Sequence, residues 1–217
     1  MDGTEDNSRE TLSSFEVLSP KGVTTLNAWD SLLESVEVWR ALRPSVVGSQ
    51  EYMDYLGSPK VQQVVREIAN QLTSLEGPVS RERFAKFVGA CFGFSRVVKN
   101  RIDTINNVPL PAHSRDSEGF LFPPRASPKE YREWKRAGGQ DSRTIAEISL
   151  AEIGNAMVHL AVVSMGITRP EILTETARIL GSQRNSPAIT QRMENALVMV
   201  EKTGRLRSQD GYLKPPS

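Results

Sequence analysis

The chain has 217 residues, 38% hydrophobic and 24% charged, with 27 Lys and Arg against 26 Asp and Glu. That is ordinary water-soluble composition and enough length for one or two domains. A single cysteine, Cys91, excludes an internal disulfide and a cysteine-rich zinc site. No apolar run approaches the roughly 18 residues of a membrane span and no signal-peptide pattern appears, so the expectation is a cytoplasmic protein without a membrane partner.

In chain order, residues 1–19 are acidic and rich in Ser, Thr, Asp and Glu, a composition that predicts a disordered tail. A helical N-terminal region is expected over 20–60. Within it, Leu26, Trp29, Leu32, Leu33, Val36 and Trp39 predict an amphipathic helix from Thr25 to Arg43, ended by Pro44. Trp29 and Trp39 on one stripe fit either a partner-binding anchor or packing on the first of the modules described below. Gln50 to Leu56 predicts a short helix, and Ser58-Pro59 opens the next segment.

From there the chain reads as one unit written twice. Ser80-Arg-Glu-Arg-Phe84 is answered 88 residues later by Thr168-Arg-Pro-Glu-Ile172, and Gly93 by Gly181. Gly119-Phe-Leu-Phe-Pro-Pro124 is answered by Gly211-Tyr-Leu-Lys-Pro-Pro216 at an offset of 92, so one loop differs by four residues. Each copy begins with an apolar stripe at helical spacing: Val61, Val64, Val65, Ile68 and Leu72, then Ile153, Met157, Leu160 and Ala161. A polar N-cap (Ser80 or Thr168) opens a second helix that stops at the glycine, where positive φ is expected. A third helical run comes next, Ile102 and Ile105 in copy one, Ile189 to Val200 in copy two, the latter with Ser186 and Pro187 as N-cap and first residue. Arg205-Leu-Arg207, a Ser-Gln-Asp-Gly turn and Tyr212-Leu-Lys214 complete copy two as a β-hairpin.

The expected fold class is therefore mainly α with small β-hairpins: two tandem winged-helix-like modules at 61–124 and 148–217, preceded by the N-terminal helical region. A basic aromatic linker at 125–147 joins them. Its Tyr131, Trp134, Lys135 and Arg136 suit either a phosphate backbone with aromatic contacts or docking on a neighbouring module, and Trp134 joins Trp29 and Trp39 as a candidate partner contact. Ser149 and Glu152 predict a capping box for the helix beginning near Leu150.

Charge is uneven. Residues 1–60 hold five Lys and Arg against ten Asp and Glu, 61–124 eight against six, 125–147 six against four, and 148–217 eight against six. The isoelectric point near 7.9 is low for a chain that relies on nucleic acid alone, but leaves room for a local patch. In a DNA-binding winged helix the third helix enters the major groove and the ribbon flanks the phosphates. The candidate contacts are then Arg96, Lys99, Asn100, Arg101 and Asn106 in copy one. In copy two they are Arg184, Asn185, Gln191, Arg192 and Asn195, with Arg205, Arg207 and Lys214 on the ribbon. The alternative is a solvated face whose cations pair with acids such as Glu194.

The runs Glu152-Ile-Gly-Asn-Ala-Met157, Glu171-Ile-Leu173, Ala177-Arg-Ile-Leu-Gly181 and Arg192-Met-Glu-Asn-Ala-Leu197 resemble an uncharacterised domain family. It lies near the C-terminus of large bacterial proteins that combine a superfamily-one helicase with a restriction-endonuclease-like nuclease. Glu76-Gly-Pro-Val79 and Phe92-Gly-Phe-Ser-Arg-Val97 resemble the segment preceding it there, and the likeness spans roughly residues 44–216. There is no Gly-x-x-x-x-Gly-Lys-Ser/Thr phosphate loop, no room for a helicase core and no nuclease-type acidic cluster. The resemblance thus implies an accessory role in DNA processing or defence, not an activity.

Catalysis finds little support. His113 and His159 lack ligand partners at diagnostic spacing, no Gly-x-Ser-x-Gly motif occurs, and Asp116 and Glu118 flank a Gly turn. The expectation is a non-enzyme without metal or cofactor. Its partners are double-stranded DNA, a helicase or nuclease protein, or a second copy of the chain. A protein-interaction scaffold is the alternative, since tandem winged helices also form adaptors.

Overall fold

The computed structural model describes residues 33–138, 140–182 and 186–216. The acidic tail, Trp29, Arg184 and Asn185 lie outside them. Val36–Ser217 forms one compact unit, and before it only Leu33–Ser35, a turn, is described. This unit is mainly helical with one small antiparallel hairpin.

The expected helix from Thr25 to Arg43 is corrected over its described part. Val36–Arg43 is not helical, and Val38 instead bridges the linker, which supplies a backbone edge to pair with. Trp39 N donates to Arg136 O at 2.9 Å and Arg136 N to Glu37 O at 3.0 Å, forming a parallel bridge. The apolar spacing that mimicked a helix face instead buries Trp39 beneath that bridge. Gln50–Tyr55 is a 3-10 helix.

Six α-helices are described after it. In the first half, α1 spans Pro59–Glu76, α2 Arg81–Cys91 and α3 Lys99–Asn106; in the second, α4 spans Leu150–Val163, α5 Arg169–Ile179 and α6 Pro187–Lys202. The caps are those the sequence predicts: Ser58, Ser80 and Ser186 Oγ each accept from the backbone three residues on. Helices α2 and α5 each have 11 residues, start 88 apart, and are followed by glycines at φ 79° (Gly93) and 93° (Gly181), a conformation costly for any side chain with a Cβ. Helices α3 and α6 also start 88 apart but have 8 and 16 residues.

Each half closes in the same way. Between α4 and α5, Ile167 exchanges two backbone hydrogen bonds with Leu213 (3.2 and 2.8 Å), and Leu213 also pairs with Ser208 across the hairpin of β1 (Arg207–Gln209) and β2 (Tyr212–Lys214). Asp210 at φ 54° and Gly211 at φ 84° make its two-residue turn, the primed type whose twist matches the strands. Between α1 and α2, Val79 exchanges the same pair of bonds with Leu121 (3.0 and 2.8 Å), and Leu121 also bridges Arg115. The hairpin expected around Gly119 is thus reduced to isolated bridges. Asp116 Oδ1 accepts from the amides of Glu118 (3.0 Å) and Phe120 (2.9 Å), so a carboxylate-capped turn replaces a regular ladder.

These pairings press each ribbon onto its helices. Phe84, Val88, Leu72, Ile105 and Leu121 form the first core, and Ile153, Met157, Ile172, Leu197 and Leu213 are buried in the second half. Burying each such side chain contributes about 1.5–3 kcal/mol.

Candidate nucleic-acid interface

Gly93 ends α2, and the chain then turns over Phe94 before Val97 dips into the core and α3 begins. The stretch from Phe94 to Lys99 leaves Arg96, Val98 and Lys99 outside, with Asn100 in the first turn of the helix. Arg96, Lys99 and the Asn100 side chain make no hydrogen bond or ion pair among the described residues. Arg101 is partly buried, its guanidinium 4.1 Å from the Phe94 ring centroid, with Nη1 buried and unpartnered. Stacking holds this cation in a fixed place. Asn106 is structural, donating through Nδ2 to Arg81 O (3.0 Å) and Ile102 O (2.8 Å). Asp103 pairs with Arg81 at 3.2 Å, with both side chains about half exposed.

The corresponding face of the second half is otherwise occupied. Arg192 donates from Nε to Ile145 O (3.0 Å), from Nη1 to Glu118 Oε1 (3.0 Å) and from Nη2 to Glu118 Oε2 (2.9 Å), and also reaches Ile148 O. The arginine expected on DNA is instead a clasp between α6, the linker and the first half's turn. A forked guanidinium suits this role because it engages a carboxylate with two parallel bonds. Glu118, read in sequence as a turn residue only, is the partner that spacing could not reveal. Gln191 is exposed and donates to Asn195 Oδ1 at 3.0 Å. Glu194 and Glu201 both pair with Arg169 (2.7 and 3.2 Å), so the acids of this helix outnumber the cation that holds them.

On the ribbon, Arg205 donates to Asn155 Oδ1 at 2.7 Å, and burial, with Arg132 nearby, lowers its pKa. Arg207 is exposed, and Lys214 is partly buried along the Gly166 turn. Of the ribbon cations named from sequence, Arg207 is the one fully open to solvent.

Of the candidate partner-binding tryptophans, Trp39 and Trp134 turn inward. Trp39 is 6% and Trp134 9% exposed; Trp134 packs edge-on against His159 with centroids 5.4 Å apart. Lys135, expected on a phosphate backbone, is 6% exposed; its Nζ donates to Glu37 at 3.1 Å and to Leu75 O. Arg136 donates to Val36 O at 3.1 Å. The linker docks inward because its aromatics and alkyl stems cover core that α1 and α4 leave open.

Beneath it lie two acids whose burial the sequence did not mark. Glu152 is paired with Arg143 and accepts from Lys135 N at 3.2 Å. Burial pushes its carboxyl pKa up while Arg143 opposes the shift. The capping box expected of Ser149 and Glu152 is therefore only half formed. Ser149 Oγ accepts from Glu152 N at 3.2 Å, but the Glu152 carboxylate turns to Arg143. The complete boxes belong to Thr144 with Glu147 and Thr168 with Glu171. In the first half, Glu76 accepts from Arg83 Nε at 3.0 Å and Leu42 N at 2.8 Å. A cavity of about 140 Å³ lies between Trp39, Glu76, Arg83 and Arg143; these three charged groups are already engaged in such pairs, and the fourth on its lining, Glu147, in its capping box.

Comparison with protein-family models, curated proteins and solved structures returns no match. Among the described residues, no group of three His, Cys, Asp or Glu is placed to hold a metal, and no helix is long and apolar enough to cross a membrane. Cys91 is buried, which raises its thiol pKa, and His113 contacts Thr73 Oγ1 at 3.3 Å.

Proposed function

We propose that the chain is a pair of winged-helix-type modules serving as a non-catalytic DNA-binding accessory in helicase- or nuclease-type DNA processing or defence. The order within each half supports the module reading. A helix, a bridging strand residue, two more helices and a ribbon succeed one another, with the ribbon's last segment paired to the residue between the first two helices. The DNA reading is carried by the start of α3, where Arg96 and Lys99 stand exposed without acidic partners beside the stacked Arg101.

Titrating a labelled duplex with the protein across a salt series tests this. Binding at low salt that weakens as salt rises is the expected result. No binding at low salt, or binding indifferent to salt, overturns the proposal. An adaptor role without DNA contact is the second reading. It is favoured by Met165 (86% exposed), Val162 (52%) and Tyr212 (47%), which are open near the Gly166 turn.

A further inference from the structure

We infer that duplex DNA is held through its phosphate backbone chiefly by the first half, at Arg96 and Lys99, without discrimination of sequence. This rests on the DNA-binding reading above and narrows it.

The two third helices divide the case. Between Phe94 and Asn106 the chain has three cations against one acid; between Ser182 and Thr203 it has three against two. In the second set Arg192 is the cation already spent, and Arg184 lies outside the described residues. Arg192 is closed onto Glu118, Ile145 O and Ile148 O, and Lys202 lies at the far end of α6. The Glu194 and Glu201 side chains, 33% and 29% exposed, share the single cation Arg169, so the pair of acids on α6 exceeds its partner by one negative charge.

Base reading by the first half is limited by length. Helix α3 has eight residues, about two turns, and its second turn is anchored by Ile105 in the core and Asn106 on Arg81 O. Of the second turn, Asp103, paired with Arg81, and Thr104, bonded to Asn100 O, are the exposed residues. Recognition of a base edge takes a planar group that makes two bonds at once. Lys99 is a point charge, Arg96 precedes the helix, and Arg101 is stacked on Phe94. That leaves Asn100, on the first turn, with the right fork. The arrangement suits phosphates, which require charge and reach but not a base code.

The test uses the full chain and two 20-base-pair duplexes of unrelated sequence, titrated from low to moderate salt. Affinities agreeing within about threefold are expected, with a slope of log K against log salt near −2 to −3. The double variant Arg96→Ala/Lys99→Ala should lose about tenfold or more in affinity and flatten that slope by about 2. Gln191→Ala/Asn195→Ala should leave both unchanged. All four side chains are outside the core, and equal thermal midpoints will show that the variants fold. DNA binding that survives the Arg96/Lys99 change, falls with the Gln191/Asn195 change, or separates the two sequences more than about tenfold overturns this inference but leaves DNA binding standing. Absence of binding by the unaltered chain overturns both.

Discussion

The two halves of this chain share a fold plan and use it differently. Helices α2 and α5 match in length, cap and stop, and Val79–Leu121 repeats Ile167–Leu213 bond for bond. The third helices and the ribbons diverge. The first half has a short third helix with open cations and a carboxylate-capped turn; the second has a helix twice as long and a regular hairpin. The turn of the first is where the third helix of the second attaches, through Glu118 and Arg192. A surface that one copy leaves open has become, in the other, part of the seam. Equivalent backbone does not imply equivalent function, because the side chains that close the seam are unavailable to a ligand.

The buried acids test the comparison most severely. Glu152 is fully buried against an arginine that is itself 7% exposed, whereas the Arg83 side chain facing Glu76 is 28% exposed. Glu152→Ala should cost about 3–5 kcal/mol in urea unfolding, because it strands a buried guanidinium. Glu76→Ala should cost less, about 1–3 kcal/mol, since water can reach Arg83. Equal losses would show that exposure of the partner does not set the difference.

The clasp comes next. Arg192 is 17% and Glu118 34% exposed at the side chain, so solvent screens the pair. A double-mutant cycle of Arg192→Ala and Glu118→Ala should give a coupling of about 1 kcal/mol, and Arg192→Ala alone should cost more because it also abandons Ile145 O and Ile148 O. Zero coupling would reduce the seam to packing alone.

The smallest effect concerns pH. Burial lowers the pKa of His159; for His113 burial again dominates, against a raising contact with Ala69. Both folded states then favour the neutral ring, so the unfolded chain binds more protons as pH falls through its ordinary histidine value near 6.5. Thermal midpoints should therefore fall between about pH 7 and pH 5 from this source, and His159→Gln should flatten that fall. An unchanged slope would place the dependence on the first half.

Much of the helical frame was legible locally. Ser58, Ser80, Thr168 and Ser186 mark helix starts, Gly93 and Gly181 mark stops, and Asp210-Gly211 marks the hairpin turn, since caps and primed turns depend on residues within a few positions of one another. Expectations failed where the partner was remote. Trp39 sits on a helical stripe, yet its amide bonds Arg136, and its neighbour Ala41 donates to Asp141 at 3.0 Å, 100 residues on. Nothing within a helical window can announce such a strand.

The candidate site divides along the same line. Arg96 and Lys99 were named from sequence and stand open, but sequence placed Arg192 beside them on equal terms, and only the fold brought Glu118 against it. By itself the sequence determined the repeat, the caps and the chemical types present on each third helix. Tertiary structure decided which cations still face water, because a charge is spent or spared by neighbours that chain order does not encode.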